Sequence, residues 1–343
     1  MIVPDLQITR PDGYDDAELA EWWEVYRAGM AHDLGRHATY WQLPEVAGMV
    51  RGHWTRTAHE LFAARVGDEL VGVGFSSYPL LDNLTSVDVE IAVPHEHRRN
   101  GYGTRLLQAV EEAAEARGRT TVTSLTSWRI DDPAGEAGSP GARFAARHGY
   151  SIGLGDVQRE LDLPVGDALL DELAAEAAEH TQGYEVRAWV GPVPDDLLPS
   201  HVALSSRLNT EAPLGEMQWE DETTDLDAAR ELDRFHEACG RTMYRTVAVD
   251  ADGTVVAYSD LALAEHDSEW VFQWGTLVDP AHRGHRLGLA VKVANLQQLQ
   301  RDPRAANRRV ATWNAGVNDH MIAINERLGF QVTCTGGELI KKL

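Results

Sequence analysis

At 343 residues, with 43% hydrophobic side chains, a mean hydropathy of −0.34 and no apolar run near ~20 residues, the chain reads as about two globular domains and not as a membrane-spanning or disordered protein. Its 31 basic and 54 acidic residues leave a formal charge of −23. Such a field repels nucleic acid and anionic membranes and attracts cations, and it serves solubility equally well.

In chain order, a short strand is expected near Leu6 to Thr9, a helix from about Asp15 to Met30, and a second short helix after Pro44. The pattern then alternates in LFAARV (61–66) and ELVGVGFSSY (69–78) across a Gly67-Asp68 turn, a hairpin signal. SVDVEIAV (86–93) sets Val87, Val89, Ile91 and Val93 on one face and Asp88, Glu90 and Ala92 on the other. A helix follows from Thr104 to Gly118, then strand TVTSLT (121–126), a loop over 131–141, a short helix ending at Gly149, and a strand over 157–163.

Residues 164–183 are expected to connect the domains and to include a helix from Asp167 to His180. The order then repeats: strand 184–190, helical segments across 195–208 and 225–239, and strands 245–250, 254–264 and 270–278. Helix 288–301, strand 309–314, helix 318–328 and a strand from Phe330 complete the copy. The expected division is therefore 1–163, a connecting helix in 164–183, and 184–343.

Two motif pairs argue for duplication. HRRNGYG (97–103) recurs as HRGHRLG (282–288) at an offset of 185, and FAARHGY (144–150) recurs as INERLGF (324–330). Each turn lies between a strand and a helix, where unpaired N–H groups and the helix dipole favour an anion such as a pyrophosphate. Glycine lets a phosphate touch the backbone, and arginine adds charge-assisted hydrogen bonds. The dinucleotide G-x-G-x-x-G and phosphate-loop patterns are both absent.

The turns resemble the pyrophosphate signature [Q/R]-x-x-G-x-[G/A] of the GNAT superfamily of acyl-CoA-dependent N-acyltransferases. Arg98-Arg99-Asn100-Gly101-Tyr102-Gly103 fits throughout, and Arg283-Gly284-His285-Arg286-Leu287-Gly288 departs only where Arg286 replaces the first glycine. The family's later segment, N-x-x-A-x-x-L-Y-x-x-x-G-F, is met by Asn318, Met321, Ile324 and Gly329-Phe330, with Asn325 in place of the tyrosine. In the first copy Gly138 and Ala145 stand for that asparagine and tyrosine.

The resemblance implies two mixed α/β domains in tandem, each with a mostly antiparallel, splayed sheet flanked by helices. It implies acetyl-CoA as acyl donor, with the pantetheine arm on Ile91, Ala92 and Val93 or on Leu277 and Val278. The phosphates would meet residues Arg98 to Gly103 and Thr104, or Arg283 to Gly288 with Leu289 and Ala290, and Asn314 and Asn318 would also contact the cofactor. The acceptor implied is a small amine, drawn by the acidic field to be cationic, with the protein a monomer or homodimer.

Only a neutral amine attacks a thioester, so a carboxylate near the sheet is useful as proton acceptor. Glu90 and Asp88 are the candidates, although carboxylates on an alternating strand are usually just its solvated side. At a constant offset their second-copy counterparts are Gln273 and Gly275, which cannot act as bases, and Asp260 and Glu265 are weaker acceptor-side candidates. Neither copy has the family's tyrosine acid, which leaves open which copy is catalytic and admits a silent acyl-CoA-binding scaffold as the rival reading.

His95, His97, His282 and His285 lack a third neighbouring ligand, so no metal site is expected. Trp22, Trp23, Tyr26, Tyr40, Trp41 and Trp54 could form a cation-binding wall on the acceptor side, although such residues are more often core or lobe interface. The opening MIVPDLQITR lacks the basic-then-apolar pattern of a secretory leader, and Cys239 and Cys334 read as free thiols. A cytoplasmic location is expected.

Overall fold

The computed structural model describes residues 6–343 and resolves into two compact units. The first comprises residues up to Asp156 together with Gly215–Met217 and Thr333–Leu343, and the second comprises Val157–Leu214 and Gln218–Val332.

In the first unit the chain runs β1 (Leu6–Thr9), α1 (Asp16–Leu34), α2 (Leu43–Arg51), β2 (Thr57–Val66), β3 (Glu69–Pro79), β4 (Ser86–Ala92), α3 (Tyr102–Ala116), β5 (Thr121–Arg129), α4 (Gly135–Gly138) and α5 (Pro140–Arg147). The segment 131–141, expected as a loop, thus contains a single helical turn and the start of α5, which Ser139 caps by accepting from the Ala142 N–H. Strand β6 (Ser151–Asp162) passes from the first unit to the second at residue 157.

The second unit continues with α6 (Asp167–Ala178), β7 (Glu185–Val190), α7 (Leu198–Ser205), α8 (Leu208–Glu211), α9 (Leu226–Ala238), β8 (Arg241–Val249), β9 (Val255–Ala264), β10 (Trp270–Val278), α10 (Leu287–Leu299), β11 (Arg309–Ala315) and α11 (Asp319–Leu328). Helix α6 is more than a connector. Leu170, Leu173 and Ala177 are buried in one cluster with Leu289, Val293 and Leu296 of α10.

The last strand, β12 (Gln331–Lys342), pairs antiparallel with β5 from Cys334↔Arg129 to Lys342↔Thr121. Residues 333–343 therefore belong to the first unit, although 184–343 was expected to form one domain. The first sheet has the order β1-β2-β3-β4-β5-β12-β6, and Leu339 of β12 is buried with Val87, Leu106 and Val110. The second has the order β6-β11-β10-β9-β8-β7.

Both sheets open at the same place. Parallel pairing of β4 with β5 spans Ser86↔Thr121 to Asp88↔Thr123, and that of β10 with β11 spans Trp270↔Arg309 to Phe272↔Ala311. Beyond those pairs the ladders end, and backbone groups on the open strands become available to an extended ligand.

The second copy carries a bulge that the first lacks. Gln273 pairs with Leu261 but Thr276 with Ser259, so β10 holds one residue more than β9 over this stretch, whereas β4 stays in step with β3 from Asp88 to Ala92. The strands consequently align at an offset of 184 before the bulge (270 − 86) and the turns at 185 after it (282 − 97). This corrects the pairing expected from a constant offset: Phe272, not Gln273, is the counterpart of Asp88. Gln273 is buried and holds the bulge, its Nε2 donating to the Asp260 carbonyl at 2.7 Å and to Ser259 Oγ at 3.2 Å.

Candidate active site

The carboxylates of β4 lie under α1 and the loop that follows it. Tyr26 donates its hydroxyl to Glu90 Oε2 at 2.7 Å, and Trp41 Nε1 donates to Oε1 at 3.2 Å. Burial pushes the Glu90 pKa up, and these two donors partly offset it. Asp88, one register step before the splay, accepts from Thr123 Oγ1 at 3.0 Å.

Asp88 is solvent-exposed although neighbouring protein atoms crowd around it. Enclosure, then the Glu90 charge, push its pKa up to about 7, with Glu338 of β12 adding to the repulsion. Water reaching its exposed side screens that shift. Glu338 was missed by sequence reasoning, because nothing in the run VTCTGGELIKK indicates which sheet it joins.

Of the N-terminal aromatics, Trp22 is core, stacking on Tyr26 at 5.1 Å and donating to the Phe62 carbonyl. Trp23 donates to the Trp41 carbonyl and Trp54 to that of Gly48. Only Tyr26 and Trp41 of this set reach a β4 carboxylate in the described hydrogen bonds.

The turn after β4 presents backbone more than side chain. The first α3 hydrogen bond runs from Arg105 N–H to Gly101 O, and the N–H groups of residues 99–104 make none within the described residues. Gly101 caps the helix at φ 87°, and Arg99 is also left-handed at φ 69°. Arg98 has little freedom to meet a ligand: its guanidinium grips both Asp33 oxygens (3.0 and 2.8 Å) and the Val93 and Gly29 carbonyls. Arg99 is exposed and makes no ion pair among the described residues. Asn100 donates to the His97 carbonyl, and Thr104 Oγ1 bonds His148 Nε2 at 3.1 Å.

The second turn repeats the design. Arg283 pairs with Glu211 of α8 at 3.0 Å, as Arg98 pairs with Asp33 of α1. Arg286 caps α10 at φ 52°, so an L-residue bears the left-handed strain that Gly101 avoids, and its guanidinium is tied to Glu176 of α6 at 2.7 Å. The first α10 bond is Ala290 N–H to Arg286 O, which leaves the preceding N–H groups outward. Tyr184 bonds His282 and packs on His285, so both histidines serve the turn's packing.

The side-chain oxygens of Asn314 and Asn318 are engaged internally. Asn318 caps α11 through the Met321 N–H at 3.3 Å, and Asn314 Oδ1 accepts from buried Asn325 at 2.7 Å. Asn325, in the tyrosine's place, thus braces β11. Among the described residues no group of three or more His, Cys, Asp or Glu could hold a metal ion, and no helix is long and apolar enough to cross a membrane.

The sequence model of the acetyltransferase (GNAT) family matches residues 15–135, a stretch that contains the first splay and the first N–H-lined turn. Residues 15–135 of the first unit are thus similar to that family, and the chain as a whole has the fold of a tandem GNAT protein. It is similar to a tandem GNAT protein from the clavulanic acid biosynthesis pathway, at 26% identity over 98% of both chains with a TM-score of 0.78. It also shares its fold with a GCN5-related N-acetyltransferase from Sphaerobacter thermophilus, at 16% identity over 100% of this chain and 97% of that one, with a TM-score of 0.66. No curated protein matches the sequence.

Proposed function

We propose that the first unit transfers an acetyl group from acetyl-CoA to the amine of a small cationic substrate. The observation that carries this reading is the acidic group in which Asp88 and Glu90, with Glu338 nearby, sit at the point where β4 parts from β5. An ammonium group is held there by charge, and a carboxylate whose pKa lies near neutrality is suited to take its proton.

The outward N–H groups of 99–104 and the exposed Arg99 fit a pyrophosphate, with Arg98 fastening the turn to α1. The open backbone at Ile91 to Val93 fits an extended pantetheine arm, and the donor supplies an activated thioester. Leu277, Val278 and the second turn form a parallel cradle, and we place a second acyl-CoA there. The acidic surface and the chain's composition support a cytoplasmic enzyme acting on a free metabolite, as monomer or homodimer.

The test is acetyl-CoA-dependent thiol release with a panel of mono- and diamines. Asp88→Asn with Glu90→Gln is expected to lower turnover of the best diamine by ~10²-fold with little change in the acetyl-CoA KM. Unaltered turnover in that variant would remove both carboxylates from the mechanism.

A further inference from the structure

On the face covered by α1, Phe75 of β3 and Glu90 of β4 are cross-strand partners. At the corresponding place in the second unit the pair is inverted. Asp260 of β9 stands where Phe75 would be, opposite the β10 bulge that contains Trp274 and Gly275. The carboxylate absent from β10 has an equivalent one strand over.

We propose that the second unit holds its own acceptor site, for a singly charged amine bearing an apolar or aromatic group, in which Asp260 binds the ammonium and accepts its proton. The proposal rests on the acyltransferase reading of the chain. Its geometry stands on groups from six elements.

Asp260 Oδ1 is buried and makes no hydrogen bond. Its cross-strand neighbour on β8, Arg245, directs NH2 to Asp233 of α9 at 2.9 Å, so this cation is shared and does not neutralise Asp260 outright. His201 of α7 lies 5.3 Å from the Tyr258 ring and His236 of α9 lies 5.1 Å from the Trp274 ring, each with a buried ring nitrogen that has no partner.

Tyr258 reaches the bulge itself. A Cβ on Gly275 would stand 2.5 Å from the Tyr258 hydroxyl oxygen, so glycine is what admits that hydroxyl. Where the first unit has Asp88, this one has Phe272, which stacks on Trp313 at 6.1 Å and belongs to an aromatic cluster with Trp270 and Trp274. The second face therefore offers one carboxylate oxygen without a hydrogen-bond partner, that of Asp260, beside an apolar wall, with Asp233 committed to Arg245, and the first offers a group of carboxylates.

The groups around Asp260 fix its titration. Burial pushes it up to about 6, Arg245 draws it down, and Asp233 raises it. His201 and His236 are kept neutral by burial and by the charges of Arg245 and Arg241, so they do not compete as cations. In the transfer the amine nitrogen bonds to the acyl carbon as the carbon–sulfur bond breaks, the electron pair leaving on sulfur. Of the two protons lost from the ammonium nitrogen, one goes to sulfur to give the free thiol, and the other passes through Asp260 to solvent.

The experiment uses the full chain carrying Asp88→Asn and Glu90→Gln, with acetyl-CoA and either phenethylamine or putrescine. Phenethylamine turnover should survive, and adding Asp260→Asn should lower it by ~10²-fold and remove an acid limb near pH 6, with Asp260→Glu restoring part of the rate. Calorimetry of phenethylammonium on the otherwise unchanged protein should show at least ~10-fold weaker binding in Asp260→Asn at pH 8. Binding that ignores Asp260→Asn, or residual turnover that survives it, overturns the site. Absence of turnover with every amine in the unmodified protein, together with Asp260-dependent binding, would overturn the acyltransferase reading and leave the ammonium site standing.

Discussion

Tyr26 of α1 donates its hydroxyl hydrogen to Glu90 of β4 at 2.7 Å, joining that helix to the strand that carries both candidate carboxylates. The bond stabilises the ionised carboxylate and so opposes burial, the main cause of its raised pKa. In Tyr26→Phe that opposition is lost and the Glu90 pKa rises further. The acid limb of the turnover profile should then move to higher pH, with the loss of rate largest at the acid end of the profile and fading as pH rises. A pH–rate curve superimposable on the parent's would show that the Tyr26 bond does not tune the reacting base.

Arg98 and Arg99 are neighbours with separable duties. Arg98 is mostly covered and spans Asp33 and two carbonyls, so Arg98→Ala should cost about 2 kcal/mol of stability and lower the Tm. Arg99→Ala should leave the Tm in place and raise the acetyl-CoA KM by ~3–10-fold, with a flatter salt dependence. Thermal melts and KM values at two ionic strengths distinguish them, and an exchange of phenotypes would contradict the assignment.

Lys292 is buried within α10 with its ammonium unbonded, 5.5 Å from the Phe330 ring. Burial lowers its pKa to about 7, against ~10.4 when unfolded. Folding then costs nothing on this account above the unfolded value. The cost grows as pH falls, and it is complete below about 7. Lys292→Met should accordingly stabilise the chain by on the order of 3 kcal/mol at pH 6.5 and by much less at pH 10. Equal denaturation midpoints for parent and variant at pH 6.5 would refute this.

Strand β12 lies between β5 and β6 in the first sheet, and removing it uncovers the edges of both. Deletion of residues 333–343 should abolish acetyl-CoA binding at the first turn and open residues 6–156 to limited proteolysis, while 157–332 stays protected. Retention of both binding and protection would show that the first unit stands without its borrowed strand.

The turns and the β4 carboxylates were legible because each is a local pattern: an alternation, a glycine at a left-handed position, an arginine at fixed spacing. The bulge in β10 was not, since one inserted residue changes the repeat offset only from 184 to 185 and displaces Phe272 to the place expected for Gln273. The roles of Arg98 and Asn318 were hidden for another reason. A side chain's type reveals what it can bind, but Asp33 and the α11 N–H that occupy these two are set by tertiary placement. Glu338 depends on which strands become neighbours, which no single strand encodes, and Asp260, legible only as an acceptor-side candidate, takes its surroundings from the same pairing.

The path of β12 also has a consequence for synthesis. When the ribosome has released residue 156, the N-terminal sheet still lacks an interior strand, and that strand emerges only after the whole second unit. The sheet that carries Asp88 and Glu90 is therefore completed only once residues 333–343 have emerged, and a chain stalled before residue 333 holds it unfinished.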